Sequence, residues 1–274
     1  MPAVKSVINQ TFLDWELIVI DDGSSDNAVK NLEGLKDLRI KIFQDGINKG
    51  LATRLNEAVS QASGKYIARM DADDLCFPER IEKQVEFLDA HPDVDLLSTK
   101  VLAFKSLTAK VIGLLPHRET HESIISQPWR GMHMPHPTWM GRADWFRRFN
   151  YQLPEVMRAE DQELLLRAYP DSKYHSIPDV LLAYRQGDYN LQKTLIARRT
   201  LLKTQKNIFL SRGQPLYLLK TFVFTGLKLS IDIIAAVPGF NWLFFKRMSH
   251  QVPDSVRKEF ISLWDRTRNR DGTS

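Results

Sequence analysis

Gly64-Lys-Tyr-Ile-Ala-Arg-Met-Asp-Ala-Asp-Asp74 is the stretch whose reading decides the fold. Residues 66–70 have the short, apolar composition of a strand, and they run without a break into Asp71-Ala72-Asp73-Asp74. The same arrangement occurs upstream. Glu16-Leu-Ile-Val-Ile20 is a mostly apolar, β-branched run that reads as a buried parallel strand, and it stops at Asp21-Asp22-Gly23-Ser24-Ser25-Asp26. Between the two, Asp26 is placed to cap a helix reaching about Leu35, and residues 39–43 form a second strand candidate. Leu51, Leu55, Ala58, Val59 and Ala62 share one helical face that Gly64 ends. Downstream, Pro78 opens a helix with the stripe Ile81, Val85 and Leu88, His91-Pro92 closes it, and residues 93–104 are strand-like again.

Strands alternating with helices of about 10 to 15 residues predict a doubly wound, mostly parallel α/β sheet. Ligands of such sheets bind at the carboxyl ends of strands. Both acidic clusters sit at such ends. Residues 105–158 are less regular and hold His117, His121, His133 and His136 with Trp129, Trp139 and Trp145, each readable as a sugar contact or as packing. Residues 160–169 read as a helix with acidic residues in its first turn, and residues 177–185 contain a short strand. Long helical stretches follow from about Asn190.

The composition, 43% hydrophobic and 26% charged over 274 residues, suits a soluble α/β domain with an appendage. Cys76 is the single cysteine, so an intramolecular disulfide is excluded and a reducing compartment is permitted. Met1-Pro-Ala-Val-Lys5 lacks the apolar core of a secretory signal. Residues 191–274 carry 15 Lys and Arg against 5 Asp and Glu, a balance of +10 that leaves −5 for residues 1–190 of a chain whose net charge is +5. An acidic body with a basic tail argues against a nucleic-acid module and for contact with an anionic surface such as membrane phospholipid. Residues 222–245 are apolar but interrupted by Lys228, Asp232 and Pro238-Gly239, so a membrane-crossing helix is not expected. An interfacial amphipathic helix and a helical cap on the main domain both remain open.

Two carboxylates two residues apart just past a strand can hold one hard divalent cation while leaving positions for phosphate oxygens. An EF-hand fails on Leu75, Cys76 and Pro78. A phosphate-binding P-loop fails because Gly64-Lys65 is followed by Tyr66 and preceded by Val59 where the first glycine belongs.

Four motifs in order carry a resemblance: Asp21-Asp22-Gly-Ser-Ser-Asp26; Asn48-Lys-Gly50-Leu-Ala with Asn56; the 64–74 string; and Ala159-Glu-Asp161-Gln-Glu-Leu164 with Arg167. Over about residues 3–186 the chain resembles the GT-A-fold family 2 glycosyltransferases. Its Ala-Arg-Met-Asp-Ala-Asp-Asp string and His136-Pro137-Thr138 are similar to the bacterial polysaccharide and lipopolysaccharide branch. The resemblance implies a Rossmann-like, doubly wound mixed sheet, with a catalytic domain over 1–188 and a helical, basic C-terminal region over 189–274. It also implies roles. Asp22 would read the nucleotide base with Asp21 beside it, Asp71 would contact the ribose region, and Asp73 would hold the Mg²⁺ or Mn²⁺ that bridges two phosphates. Asp161 would be the general base, with Glu160 next to it, and His136 and Arg167 would be substrate-binding candidates. One base without a covalent nucleophile implies single displacement with inversion.

The expected donor is a UDP-sugar, and the expected acceptor is a saccharide or lipid-linked acceptor in surface polysaccharide synthesis. The expected location is cytoplasmic, peripheral on the inner face of the cytoplasmic membrane. Alternatives are a catalytically inactive remnant, or a GT-A-like nucleotidyltransferase, which should show a glycine-rich phosphate loop. The family opens with a strand ending in a Pro-x-Tyr-Asn-like segment, and residues 3–11 correspond to the segment after it. A missing first strand is therefore expected, with open sheet edges and an incomplete base pocket.

Overall fold

The computed structural model describes residues 1–268 except 27, 28, 31, 33, 106, 107, 155 and 249. The first half runs α1 (Pro2–Ile8), β1 (Leu17–Asp21), β2 (Ile40–Gln44), α2 (Leu51–Gln61), β3 (Tyr66–Ala68), β4 (Leu75–Cys76) and α3 (Arg80–Ala90). The middle holds β5 (Leu96–Lys105), β6 (Val111–Leu114), α4 (His121–Ile125), β7 (Met140–Arg142), α5 (Ala143–Arg148), α6 (Glu160–Ala168) and β8 (Tyr174–Gln186). Helices α7 (Leu191–Ser211), α8 (Pro215–Ala235), α9 (Trp242–Phe245) and α10 (Asp254–Arg268) complete the chain.

The sheet is mixed rather than mostly parallel. Its order is β3-β7-β5-β8-β4, with β6 added to the far end of β5. Among the described residues only β5 with β8, and the separate pair β1 with β2, run parallel. β3, β4, β6 and β7 are antiparallel to their partners. The alternation of strands and helices misleads because β4 and β7 span two and three residues and arrive through turns, so no helical crossover fixes them parallel. Among the described residues β1 pairs only with β2 and β3 only with β7, which leaves one edge of each bare. β1 was expected to be buried, yet all five of its residues are half-buried, as befits a strand with an unpaired edge.

Other differences are local. The strand read over 66–70 ends at Ala68, although the Arg69 N–H still bonds the Trp139 carbonyl at 2.8 Å in the same register. The helix expected from Asp26 falls partly on residues outside the described set. Val29, Lys30, Leu32 and Gly34 lie in turns, with 2.8 and 2.9 Å bonds from Leu32 N to Val29 O and from Leu35 N to Leu32 O.

β5, buried at eight of its ten positions, is the spine of the molecule. On one face Leu164, Leu165 and Leu166 of α6 are fully buried with Trp139, Trp145 and Phe209 of α7. Three such leucines, each worth about 1.5–3 kcal/mol on burial, fix α6 and the acids at its start. Farther along β5, Phe260, Leu263 and Trp264 of α10 pack on Leu75, Phe77 and Phe104. Helices α7, α8 and α10 therefore share cores with the sheet. Gln10 joins α1 to this frame, donating to the Phe77 carbonyl at 2.8 Å and accepting from Ile81 N at 2.9 Å.

Candidate active site

The acidic loop is built by diverging carboxylates. An Asp74 N–H bond to the Asp71 carbonyl at 3.2 Å closes the turn. Asp71 turns back to a two-pronged pair with the Arg69 guanidinium, whereas Asp73 is exposed. Asp74 is fully buried, and its Oδ1 accepts the Arg185 N–H at 2.9 Å. Arg185 Nε also donates to the Asp73 carbonyl at 2.6 Å, so β8 holds the loop twice. Burial pushes Asp74 up to about 8 against the pull of the Arg185 N–H, and the charges of Asp71 and Asp73 add to the rise. Desolvation, then repulsion from Asp71, also raises Asp73. With Asp74 held mostly protonated at neutral pH, Asp71 and Asp73 carry the negative charge of the turn, and Asp73 faces outward.

Beneath the loop lies a buried strut. Arg80 Nη2 donates to the Arg69 carbonyl at 2.7 Å and Arg80 Nε to Gln84 Oε1 at 3.0 Å. Gln84 Nε2 reaches the Thr138 carbonyl at 2.9 Å, tying the acidic loop to the His136–Thr138 turn.

The second half of the site comes from α6 and the segment before it. Glu160, Asp161 and Glu163 occupy the first turn of α6. Asp161 Oδ2 accepts from Gln162 Nε2 at 3.2 Å, while Gln162 clasps the Met132 backbone by bonds of 2.8 and 3.1 Å. Gly131 makes room for that clasp: its φ is +93°, and a Cβ there would lie 2.9 Å from Gln162 Oε1. Burial raises the Asp161 carboxyl, partly countered by hydrogen bonds from Gln162 and by Arg69. His136 is buried, its Nε2 lies 2.6 Å from the Tyr151 hydroxyl, and burial holds it well below its ordinary value, so the ring is neutral. Asn56 clasps the Tyr151 backbone with two bonds of 2.9 Å.

Arg69 is the hub of the site. Its charge acts on Asp73, Asp74, His136, Tyr151 and Asp161 as well as on its partner Asp71. Tyr151 in turn feels Asp161, Glu160 and Asp71. The structure thus brings Asp71, Asp73, Glu160, Asp161 and His136 together around one buried arginine that the sequence reading had not singled out.

The remaining site candidates lie elsewhere. Asp21 closes its own turn by accepting from Ser24 N. Asp22 accepts from Lys49 N at 2.6 Å, Gly50 N at 3.1 Å and Arg54 Nε at 2.9 Å, which fastens the 48–50 loop to the end of β1. Burial would raise its carboxyl, but these bonds together hold it below the usual range. Arg54, a second residue missed from sequence, also donates to Asp45, Glu57 and the Ile47 carbonyl. A cavity of about 310 Å³ lies on this side of β1 and β2, lined by Ile20, Phe43, Asp45, Arg54 and Glu57 and apart from the Arg69 cluster. Arg167 braces Glu163 and the Asn150 carbonyl and does not join the cluster. Trp139 and Trp145 are core residues whose indole N–H groups bond Met134 O and Ser172 Oγ, and His117 and His121 bond Ser176 Oγ and Tyr174 N.

Carboxylate oxygens suit a hard cation. Among the described residues no three His, Cys, Asp or Glu side chains gather into a cage. The exposed Asp73 beside Asp71 fits a cation whose other ligands come from substrate and water.

The family model described as glycosyl transferase family 2 matches residues 2–149. EpsE of Bacillus subtilis is 33% identical over 193 residues, 67% of each chain. The glucosyltransferase WfgD of Escherichia coli, whose name specifies UDP-Glc and a GlcNAc-diphosphoundecaprenol, is 38% identical over 86 residues, 31% of this chain and 34% of that one. The uncharacterized glycosyltransferase MJ1057 of Methanocaldococcus jannaschii is 28% identical over 187 residues, 67% of this chain and 64% of its own length. Residues 1–349 of S. aureus TarS, solved alone and in complex with UDP, superpose with a TM-score of 0.61 at 19% identity. That match covers 97% of this chain and 83% of the TarS chain. The mixed sheet with its helical C-terminal region is thus the GT-A arrangement, and the chain belongs to glycosyl transferase family 2.

Proposed function

We propose that the chain transfers a sugar, with inversion, from a UDP-sugar to a saccharide or lipid-linked acceptor in cell-surface polysaccharide synthesis. The observation that carries the reading is the convergence of Asp71, beside Asp73, with Asp161 on Arg69. Asp73 would hold a Mg²⁺ or Mn²⁺, which when bound offsets the charge developing on the nucleotide diphosphate. Asp161 takes the proton of the acceptor hydroxyl as its oxygen bonds to the anomeric carbon and the bond to the diphosphate breaks. Gln162 orients the Asp161 carboxylate, and burial keeps that carboxylate basic enough to accept a proton. The neutral His136 with Tyr151 closes the floor of the site. Asp22, already bound to the 48–50 loop, positions that loop at the nucleotide end. WfgD's named lipid-diphosphate acceptor and the UDP complex of TarS support this substrate class, as does a basic C-terminal region suited to the inner membrane face.

Turnover of UDP-sugars with Mn²⁺ tests the reading. Asp73→Asn should abolish turnover and weaken UDP binding, whereas Asp161→Asn should lower turnover by about 10²–10⁴-fold and leave UDP binding intact. The bare edges of β1 and β3 favour a second reading, a folded but inactive member of the family. A folded chain that binds no UDP would establish it.

A further inference from the structure

Helix α8 carries a long apolar face that is left exposed. Leu216, Leu219, Val223, Leu227, Ile231 and Ile234 recur at helical spacing along one face, and each is between 47% and 61% exposed. The inner face packs Tyr217 and Leu218 on the core and buries Thr221, Asp232 and Ala235. Asp232 is held there by Arg198, whose Nε donates to it at 2.8 Å, while its carbonyl accepts from the Tyr189 hydroxyl at 2.5 Å. Burying a carboxylate while six large aliphatic side chains face outward is the reverse of a helix that caps a soluble domain. The apolar surface continues past the helix end through the exposed Val237, Phe240 and Trp242.

We infer that this face of α8, continued by Val237, Phe240 and Trp242, docks on an anionic lipid bilayer with the helix lying in the plane of the interface. The inference deepens the membrane location proposed above and does not depend on the sugar-transfer chemistry. Three observations select lipid as the occupant. Residues 215–248 contain one acid, Asp232, and it is buried and paired, while Lys220 and Lys246 supply positive charge. A second copy would bring those cations face to face. Lys246 lies 5.8 Å from the exposed Trp242 ring, a cation and an aromatic side chain of the kind found where headgroups meet acyl chains. No helix among the described residues is long and apolar enough to cross a membrane, so burial of this face to the depth of an interface is the arrangement open to α8.

The surface is linked to the site. Lys228 Nζ donates to the Arg130 carbonyl at 2.8 Å, the Arg130 guanidinium lies 4.9 Å from the Phe224 ring, and Gln205 of α7 holds the Pro128 carbonyl at 2.8 Å. Two residues after Arg130, Met132 is clasped by Gln162, the neighbour of Asp161. A docked α8 would hold the acceptor side of the site close to the bilayer, where a lipid-linked hydroxyl arrives.

The test is flotation of the full chain with phosphatidylcholine vesicles with and without phosphatidylglycerol, comparing wild type with Leu219→Glu/Leu227→Glu/Ile231→Glu. Wild type should float with the phosphatidylglycerol vesicles, and the triple variant should lose roughly tenfold or more of that binding. Its circular dichroism and UDP affinity should stay at wild-type values, because the substituted side chains already face water. Wild type that stays unbound, or a folded variant that floats as well as wild type, overturns the inference. So does a wild-type dimer that the three substitutions dissolve while vesicle binding persists. Vesicle binding by a chain without UDP affinity would instead uphold the docking surface and remove the catalytic reading.

Discussion

Replacing Arg80 by Met asks whether the strut beneath the acidic loop governs both stability and donor binding. Arg80 is 1% exposed and donates to two neutral acceptors, the Arg69 carbonyl and Gln84 Oε1. Met fills much of the same space, so the change removes donors more than it opens a cavity. Each orphaned buried acceptor costs about 1–3 kcal/mol. Relief of a desolvated cation offsets part of the roughly 2–6 kcal/mol total, and burial already draws Arg80 down to about 10. A net loss of about 2–4 kcal/mol remains, and at ~2–4 °C per kcal/mol the Tm should fall by roughly 5–15 °C. The same loss frees the Arg69 carbonyl and loosens the guanidinium that pairs with Asp71. UDP affinity in the presence of Mn²⁺ should then fall about tenfold, the equivalent of about 1.4 kcal/mol. Calorimetry of unfolding and of UDP binding measures both. A Tm within about 2 °C of wild type refutes the energetic argument, and a lower Tm with unchanged UDP affinity refutes the link from strut to loop.

Asp161→Asn should lower kcat by about 10²–10⁴-fold while UDP affinity stays within about twofold, the signature of a lost proton acceptor rather than a lost binding contact. Because burial raises the Asp161 carboxyl, the base becomes available only above the ordinary carboxylate range of about 4. kcat should therefore rise with pH along a limb above that value, and a limb at or below it would count against Asp161 as the base. Arg54→Met should narrow its Tm gap from wild type as pH falls. Arg54 holds Asp45 and Glu57 below their unfolded values, so its contribution is complete at neutral pH and is lost below about 4; a gap constant from pH 7 to pH 3 would contradict the network. Gly131→Ala meets both a φ of +93° and Gln162 Oε1 at 2.9 Å, so kcat should fall by roughly tenfold with UDP affinity preserved, and an unaltered kcat would show that the clasp does not orient Asp161.

Elements with several repeats of their own period were legible in the sequence. The β1 run, the α2 and α3 stripes and the acidic start of α6 all lie within two residues of their expected places. β4 and β7 were not legible, because two and three residues hold no period, and β8 was read short because Pro178 interrupts its pattern inside a strand of 13 residues. In the site, the acids announced themselves as runs next to strand ends. The groups that organise them did not, since each acts across the chain: Arg185 reaches an aspartate 111 positions away, and Gln162 a backbone 30 away. Arg69 alone left a local trace, a lone cation between the apolar Ile67-Ala68 and Met70 at the point where a strand gives way to acids.

The division of labour between acids and arginines follows from electrostatics. Like charges crowded into one turn repel, by about 4 kcal/mol at about 4 Å and an effective dielectric of 20, so Asp71 and Asp73 need compensation to share theirs. Arg69 and Arg80 supply compensation from below, inside the protein, and leave the outer side of Asp73 exposed. Full neutralisation from within would leave no attraction for a cation, whereas no neutralisation would leave no loop. The raised carboxyls of Asp73 and Asp74 place the cluster between these limits. The residual negative charge on its open side is what would draw a divalent ion and, through that ion, a nucleotide diphosphate. Asp161 shares the field of Arg69, so the cation that braces the acidic loop would also help keep the proposed proton acceptor ionised.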